Sequence, residues 1–228
     1  MWVAELDGLL GREHQRADWL DSRELSTLRR FINEMDRIRY LKSHVVLLDI
    51  LSRHLDVHPR SIRMAYSEKG RPFVEGYADI DFNMSRKEGN LVVAVAVGDR
   101  VGIDIELSGY TIPGFMMNAF LSLSDQTANR NNGFDSQDAL LRCWVAKEAV
   151  LKARGCGLTE DPRKLDVYMP RTSSEGIAVD NIAGGVRWFL QEISVSENVV
   201  AVLATRKDAS HLVRLQSYAA GAHPSLCG

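Results

Sequence analysis

The stretch Val-Gly-Ile-Asp-Ile-Glu-Leu at residues 101–107 decides how this chain is organised. Its apolar residues alternate with Gly102, Asp104 and Glu106, which is the two-residue period of a half-buried β-strand. Asp104 and Glu106 therefore share the face opposite the core, roughly 6.5–7 Å apart at a rise of ~3.3 Å per residue. Two carboxylates so placed repel each other unless a cation lies between them. From this stretch alone, a solvated acidic strand face remains the alternative.

A second motif follows about forty residues later, Trp-Val-Ala-Lys-Glu-Ala-Val-Leu-Lys at residues 144–152. Residues 137–154 have the apolar spacing of an α-helix, and glycines at 155 and 157 end it. Glu148 and Lys152 are four residues apart and share a helix face, either as a surface ion pair or as parts of a site. Three carboxylates and a lysine are thus arranged to suit a metal ion and a phosphorylated substrate. Mg²⁺, which prefers oxygen ligands, is the natural candidate.

Together, Gly-Ile-Asp-Ile-Glu, Trp-x-x-Lys-Glu-x-x-x-Lys and a trailing Gly-x-Gly-Leu resemble the Sfp-type 4′-phosphopantetheinyl transferases. The resemblance runs over about residues 25–160. Gly-Arg-Pro at 70–72 is similar to the family's Gly-Lys-Pro turn, and Phe-Asn-Met-Ser at 82–85 to its Phe-Asn-x-Ser-His stretch. Asp125 stands where the family has a Glu, and Arg86 where it usually has a His.

The resemblance implies transfer of 4′-phosphopantetheine from coenzyme A to a serine of an acyl or peptidyl carrier protein, with release of 3′,5′-adenosine bisphosphate. It implies Mg²⁺ ligands at Asp104, Glu106 and Glu148. It implies catalytic roles for Asp104, Glu148 and Lys152, with Glu148 as metal ligand, as base toward the serine, or both. The residues that it implies for the phosphates of coenzyme A are Arg39, Arg71, Ser85, Arg86 and Lys152. An Arg at position 86 keeps a cation whose donors match phosphate oxygens.

Two other functions stay open. One is a catalytically impaired homologue that binds coenzyme A or a carrier protein without turnover, which the Arg86 departure keeps under consideration. The other is an unrelated Mg²⁺-dependent phosphohydrolase that uses the same acids and needs no acceptor protein.

Composition limits the class of protein. The 228 residues are 45% hydrophobic and 25% charged, as in an ordinary globular chain, with a net charge of −2 that argues against a general nucleic-acid binder. No apolar run approaches the ~20 residues of a membrane span, and the N-terminus is not that of a signal peptide. Three cysteines without metal-ligand spacing favour the reducing cytoplasm. We expect a cytoplasmic monomer that binds neither nucleic acid nor membrane.

The expected fold is α+β, with two pseudo-duplicated half-domains, each a helix plus an antiparallel three-stranded sheet, and the active site between them. The halves are residues 1–108, on the coenzyme A side, and 109–228. The first holds a long helix over 23–55, bent or broken near Ser43, and strands around 62–66, 91–97 and 101–107, the last two joined as a hairpin through 98–100. The second holds helices around 113–125 and 137–154, and strands near 164–168, 186–193 and 199–205.

The segment 107–123 links the halves and is rich in Met and Phe. Such a segment is either ordinary core or an adaptable apolar surface, since Met repacks readily against varied partners. The family resemblance implies that this segment meets the carrier protein.

Overall fold

The computed structural model describes residues 1–9, 13–131, 136–167, 177–180, 186–208 and 213–219. The helices are α1 (Ser22–Arg29), α2 (Glu34–Leu55), α3 (Gly114–Phe120), α4 (Leu123–Asn131) and α5 (Gln137–Arg154). The strands are β1 (Trp2–Glu5), β2 (Met64–Tyr66), β3 (Pro72–Val74), β4 (Ile80–Lys87), β5 (Asn90–Val97), β6 (Val101–Leu107), β7 (Ile177–Asp180), β8 (Arg187–Glu192), β9 (Val199–Thr205) and β10 (Gln216–Ser217). The α+β class with two helix-and-sheet halves is confirmed. Within the described residues, every helix is too short or too polar to cross a membrane.

Two four-stranded sheets form the two halves, with strand orders β10-β1-β5-β4 and β6-β9-β8-β7, beside a two-stranded ribbon of β2 and β3. The prediction of three strands in each sheet was therefore wrong. In the first sheet, β10 from the far end of the chain adds to β1 in parallel. The strand expected at 164–168 is also wrong over its described part, because the chain makes a 3₁₀ turn at Pro162–Lys164 and no strand over 165–167. Residue 168 lies outside the described residues.

The hairpin expected between β5 and β6 does not form. β6 pairs antiparallel with β9, so that Asp104 lies opposite Val202, whereas β5 pairs with β1 and β4. The loop at 98–100 therefore carries the chain from one sheet to the other. The division of the chain at residue 108 stays a prediction, but by pairing β6 belongs to the second sheet.

The helix predicted over 23–55 is in fact two helices, and the break lies at 30–33 rather than near Ser43. Asn33 caps the second helix, because its side-chain oxygen accepts a hydrogen bond from the Asp36 N–H at 3.1 Å. The apolar spacing continues across the break, so periodicity alone predicted one helix. Ser43 lies inside α2.

β6 is covered on both faces, so the expected half-buried strand is fully buried. Ile103 and Ile105 join the apolar cluster between the two sheets. The opposite face, which carries Gly102, Asp104 and Glu106, is the one that α5 covers. A Cβ at Gly102 would lie 2.1 Å from the carbonyl oxygen of Ala149, so only glycine permits this approach of helix and strand.

Side chains of β4 take the place of a strand partner along the open edge of β6. Three alternate residues each accept one backbone N–H: Asp81 from Val101 (2.8 Å), Asn83 from Ile103 (2.9 Å) and Ser85 from Ile105 (3.3 Å). Buried backbone donors need such partners. This row of contacts joins the two halves and accounts for the Asn and Ser of the Phe-Asn-Met-Ser stretch.

Candidate active site

Asp104, Ser85 and Lys152 meet at the junction of the two halves. Lys152 reaches back from α5 and donates to Asp104 Oδ1 at 2.6 Å and to Ser85 Oγ at 3.0 Å. Ser85 Oγ in turn donates to Asp104 Oδ1 at 2.8 Å. Asp104 is only 8% exposed, so these contacts are made largely away from water and hold its carboxylate in one orientation.

Glu148 lies one helical turn before Lys152 on α5. The pKa of Glu148 is raised to about 7, by burial first and by the negative charge of Asp104 second, while the charge of Lys152 acts in the opposite direction. Its Oε1 atom is buried and has no hydrogen-bond partner among the described residues. The site therefore contains a carboxyl group that is close to changing its charge at neutral pH.

Glu106 is held by a lysine that the sequence analysis did not single out. Lys87 donates to Glu106 Oε2 at 2.8 Å, while Oε1 accepts the Leu107 N–H at 2.8 Å. Lys87 continues the row of β4 side chains that face β6, and this alternation was the signal that would have found it. In the part of the chain that the structure describes, no three Asp, Glu, His or Cys side chains are grouped as a ready metal site. The metal role of the three acids stays a prediction.

Arg71 links the two halves. The guanidinium is buried and donates to Asp81 at 2.7 Å, to the Val101 carbonyl at 2.8 Å and to the Phe82 carbonyl at 3.1 Å. It also donates to the carbonyl of Lys152 at the end of α5. These contacts occupy both terminal nitrogens, so the phosphate role predicted for Arg71 stays a prediction.

Arg39 and Arg86 lie away from the acids, on the side of the first sheet that faces α2. Arg86 follows Ser85 directly on β4, so the two side chains point to opposite faces, and its guanidinium lies 5.9 Å from the centre of the Tyr40 ring. Burial lowers the pKa of Arg86. Arg39 makes two hydrogen bonds to Asp7, at 2.9 and 2.5 Å. The structure thus does not bring these two arginines to Asp104.

A cleft of about 940 Å³ opens beside Arg71, where α5 ends at Gly155. Its walls come from the turn between β2 and β3, the start of β4, the loop at 98–100 and the end of α5. Its wall combines basic and aromatic residues, which besides Arg71 are Lys69, Arg100, Arg154, Arg206, Phe73 and Tyr77, with four acidic ones, Glu68, Asp79, Asp81 and Asp99. The acids of the site are not in its wall, so the cleft is a neighbour of the carboxylate cluster rather than part of it.

A buried ion pair joins α5 to the start of α4. Lys147 is fully buried and donates to Asp125, to the Phe120 carbonyl at 2.8 Å and to the Pro162 carbonyl at 3.1 Å. Asp125 also accepts the Ser122 N–H at 2.8 Å, which starts α4 and splits the single helix predicted over 113–125. Both partners lie in motifs that the sequence displays, yet their pairing is visible only in the fold.

Two family-wide sequence profiles match this chain. One, described as the 4′-phosphopantetheinyl transferase superfamily, matches residues 100–204, and one described as 4′-phosphopantetheinyl transferase, N-terminal, matches residues 12–98. The two profiles meet at the loop that crosses from the first sheet to the second.

Curated proteins of the same kind are similar over most of the chain. The 4′-phosphopantetheinyl transferase HetI of Nostoc sp. is 26% identical over 209 residues, which is 90% of this chain and 86% of that protein. The 4′-phosphopantetheinyl transferase ffp of Bacillus subtilis is 26% identical over 199 residues, 84% of this chain and 85% of that protein. The 4′-phosphopantetheinyl transferase Sfp of Bacillus subtilis strain 168 is 28% identical over 149 residues, 65% and 64% of the two chains.

The fold and the site define an enzyme of two α+β halves, with acids and a lysine collected where the halves join. The chain belongs to the 4′-phosphopantetheinyl transferase superfamily, in its Sfp-type form with an N-terminal domain. Its activity is that of a 4′-phosphopantetheinyl transferase, and the expectation from the sequence motifs is confirmed.

Proposed function

We propose that the enzyme transfers 4′-phosphopantetheine from coenzyme A to a serine of an acyl or peptidyl carrier protein, and that the reaction takes place at Asp104, Glu148 and Lys152. The observation that carries the proposal is the meeting of Lys152, Ser85 and Asp104, with Glu148 beside them, at the junction of the two halves. The carrier serine Oγ forms a bond to the pantetheine-bearing phosphorus, the bond from that phosphorus to the second phosphate breaks, and 3′,5′-adenosine bisphosphate leaves.

The oxygen donors of these acids suit Mg²⁺ by their chemistry, and their side chains would have to draw together to bind it, since the described residues hold no ready group of three. Glu148 Oε1 is buried without a partner among the described residues, and the charge of Asp104 disfavours ionisation of Glu148. A hard divalent cation shared by these carboxylates, with Glu106 as a third ligand, would supply the missing partner and relieve the repulsion. When bound, the ion would supply positive charge that stabilises the diphosphate and the leaving group. To bind the ion, Asp104 would give up its contact with Lys152, and Glu106 its contact with Lys87.

Glu148 and Lys152 would take two further roles, that of proton acceptor and that of phosphate contact. Without a bound ion the pKa of Glu148 is about 7, which suits this carboxylate to accept the serine proton at neutral pH, directly or through a water molecule. As a metal ligand Glu148 would instead stay ionised. Lys152, whose side chain is 27% exposed, has an ammonium that can leave Asp104 for a phosphate oxygen of the substrate. Ser85 would keep Asp104 in place through its hydroxyl.

The cleft beside Arg71 is our candidate for the nucleotide end of coenzyme A. It starts one helical turn beyond Lys152, and its walls combine exposed aromatic rings, Phe73 and Tyr77, with cations such as Arg100. Aromatic rings stack on a purine, and arginines bind phosphate. The predicted phosphate contacts of Arg39 and Arg86 would lie on the other side of β4, so variants of Arg100 and Arg86 distinguish the two locations.

The segment 107–123 offers a docking surface for the carrier protein. Phe115 is 80% exposed and Leu123 82% exposed, whereas Ile112, Phe120 and Leu121 of the same segment are buried. The segment therefore holds both core and surface side chains. We propose that Phe115 and Leu123 contact the carrier protein. The cytoplasmic location and the monomeric state stay predictions from composition.

Intact-mass spectrometry of apo carrier proteins incubated with the enzyme, coenzyme A and Mg²⁺ tests the proposal. One added phosphopantetheine group is expected, and it should be lost with EDTA and in Asp104→Asn and Glu148→Gln. Glu197→Gln, in an exposed turn, is the matched control and should keep full activity.

Two results would overturn the proposal. Coenzyme A binding without any transfer would indicate the impaired homologue, and Arg86→His would then be tested for restored turnover. Cleavage of coenzyme A without a carrier protein would indicate a phosphohydrolase.

The location of the nucleotide site is tested by two variants. Arg100→Ala should raise KM for coenzyme A with little change in kcat. A rise in KM with Arg86→Ala alone would move that site to the α2 side.

A further inference from the structure

Lys87 lies at the edge of the acid cluster and has no role in the proposed transfer reaction. Its Nζ lies 2.8 Å from Glu106 Oε2 and 5.1 Å from the centre of the Tyr110 ring. The Lys87 side chain is 34% exposed, while that of Glu106 is 11% exposed. The ammonium therefore covers a largely buried carboxylate from the solvent side.

Lys87 places a positive charge on the carboxylate that a metal ion would need. Each Glu106 oxygen accepts one hydrogen bond, Oε1 from the N–H of Leu107 and Oε2 from Lys87. An ammonium and a divalent cation on the same carboxylate repel each other, because both are positive. A divalent cation at Glu106 is therefore bound more weakly while Lys87 stays in contact with Oε2.

Lys152 stands in a comparable position at Asp104, but the two lysines differ in where each ammonium can go once it is displaced. Lys152 can move onto a substrate phosphate. Lys87 has the face of Tyr110 nearby, and an aromatic face attracts an ammonium that has left a carboxylate. The Lys87 ammonium thus has a second favourable position, against the Tyr110 ring, that needs no substrate.

We propose that Lys87 is an internal counter-cation of Glu106 that weakens the binding of divalent cations to the free enzyme. The metal then binds more weakly to the free enzyme than to the complex with coenzyme A, because the diphosphate brings negative charge that offsets the ammonium. This inference rests on the proposed function of the three acids as a metal site. It makes Lys87 a residue that favours binding of the metal together with coenzyme A, and it needs no contact between Lys87 and the reacting atoms.

Titration with Mn²⁺, followed by the electron paramagnetic resonance signal of the free ion, tests the inference without any turnover. The proteins are wild type, Lys87→Ala, Lys87→Gln and Lys87→Arg, each with and without coenzyme A. Lys164→Ala, which removes an exposed lysine of the 3₁₀ turn Pro162–Lys164, is the matched control. Asp104→Asn reports whether the measured ion is at the proposed site.

Without coenzyme A, Lys87→Ala and Lys87→Gln should bind Mn²⁺ about threefold tighter than wild type, the size expected from losing a partly exposed ion pair. Lys87→Arg and Lys164→Ala should match wild type. The gain should shrink when coenzyme A is present. Thermal unfolding of each variant shows whether it is folded. If Lys87→Ala does not fold, the comparison with wild type uses Lys87→Gln, which keeps a hydrogen-bond donor for Glu106.

Equal or weaker Mn²⁺ binding in both neutral variants, with Asp104→Asn still abolishing it, would overturn the role of Lys87 and leave the metal site intact. Mn²⁺ binding that Asp104→Asn does not weaken, or no binding in any variant with or without coenzyme A, would overturn the metal site itself and this inference with it.

Discussion

Glu148→Gln should make the enzyme inactive and, above neutral pH, more stable. The pKa of Glu148 is raised to about 7 by burial first and by Asp104 second, from an ordinary value of 4.5. A carboxyl whose pKa is higher in the folded than in the unfolded state contributes stability that is fully present below pH 4.5. This contribution is lost as the pH rises through 7. Glutamine has nearly the same shape and does not ionise, so it should not show this loss.

The size of the effect follows from the shift. One unit of pKa corresponds to 1.36 kcal/mol, so a rise from 4.5 to about 7 amounts to about 3 kcal/mol. At pH 8, in EDTA, Glu148→Gln should therefore exceed wild type by up to about 3 kcal/mol in the free energy of unfolding, relative to their difference at pH 4.5. For a chain of this length, that corresponds to a rise in Tm on the order of 6–12 °C.

Urea unfolding at several pH values between 4.5 and 8 measures the difference directly. Glu197→Gln is the control for a neutralised acid in an exposed turn, and it should follow the wild-type profile. Adding Mg²⁺ in the presence of coenzyme A at pH 8 should stabilise wild type more than Glu148→Gln, because the ion favours the ionised carboxyl group. The same samples serve for the carrier assay, in which Glu148→Gln should show no transfer.

Parallel pH profiles for wild type and Glu148→Gln would refute the reasoning. They would mean that the Glu148 carboxyl ionises as easily in the folded as in the unfolded chain, and hence that neither its burial nor its closeness to Asp104 disfavours the charge.

Three further substitutions test the contacts that hold the site, each by urea unfolding against wild type. Asn83→Ala leaves the buried N–H of Ile103 without its acceptor and should cost about 1–3 kcal/mol. Gly102→Ala places a methyl group 2.1 Å from a backbone oxygen of α5 and should cost about 3 kcal/mol or more. Lys147→Met leaves Asp125 buried and unpaired and should cost about 3–5 kcal/mol, part of which Lys147→Met with Asp125→Leu should recover. An unfolding midpoint equal to that of wild type would contradict the contact concerned.

Local patterns predicted several elements with their observed bounds. The helix over 137–154 and the strands over 101–107 and 199–205 were expected where they lie. Each carries its own signals, such as the side chain of Ser136 that caps α5 and the left-handed Gly155 that ends it. These signals act over a few residues, so the sequence alone displays them.

β4 is a strand that local sequence patterns do not predict. One of its faces carries Asp81, Asn83, Ser85 and Lys87, a polar row that does not read as a buried strand. Those side chains are explained by β6, whose backbone and Glu106 carboxylate they contact. Local patterns do not reveal the contact partner of each polar side chain, because that partner lies in another part of the chain.

The sequence by itself determined the class of enzyme and the acids and lysine of its motifs, because residue type and spacing are local properties. The tertiary structure decided which of those groups are paired. It assigned Lys87 to Glu106 across 19 residues and Arg71 to the end of α5 across 81, and it separated Arg86 from Ser85 by the two faces of one strand. The physical reason is that hydrogen bonds and ion pairs depend on distance in space, and two packed sheets bring together groups that the chain keeps far apart.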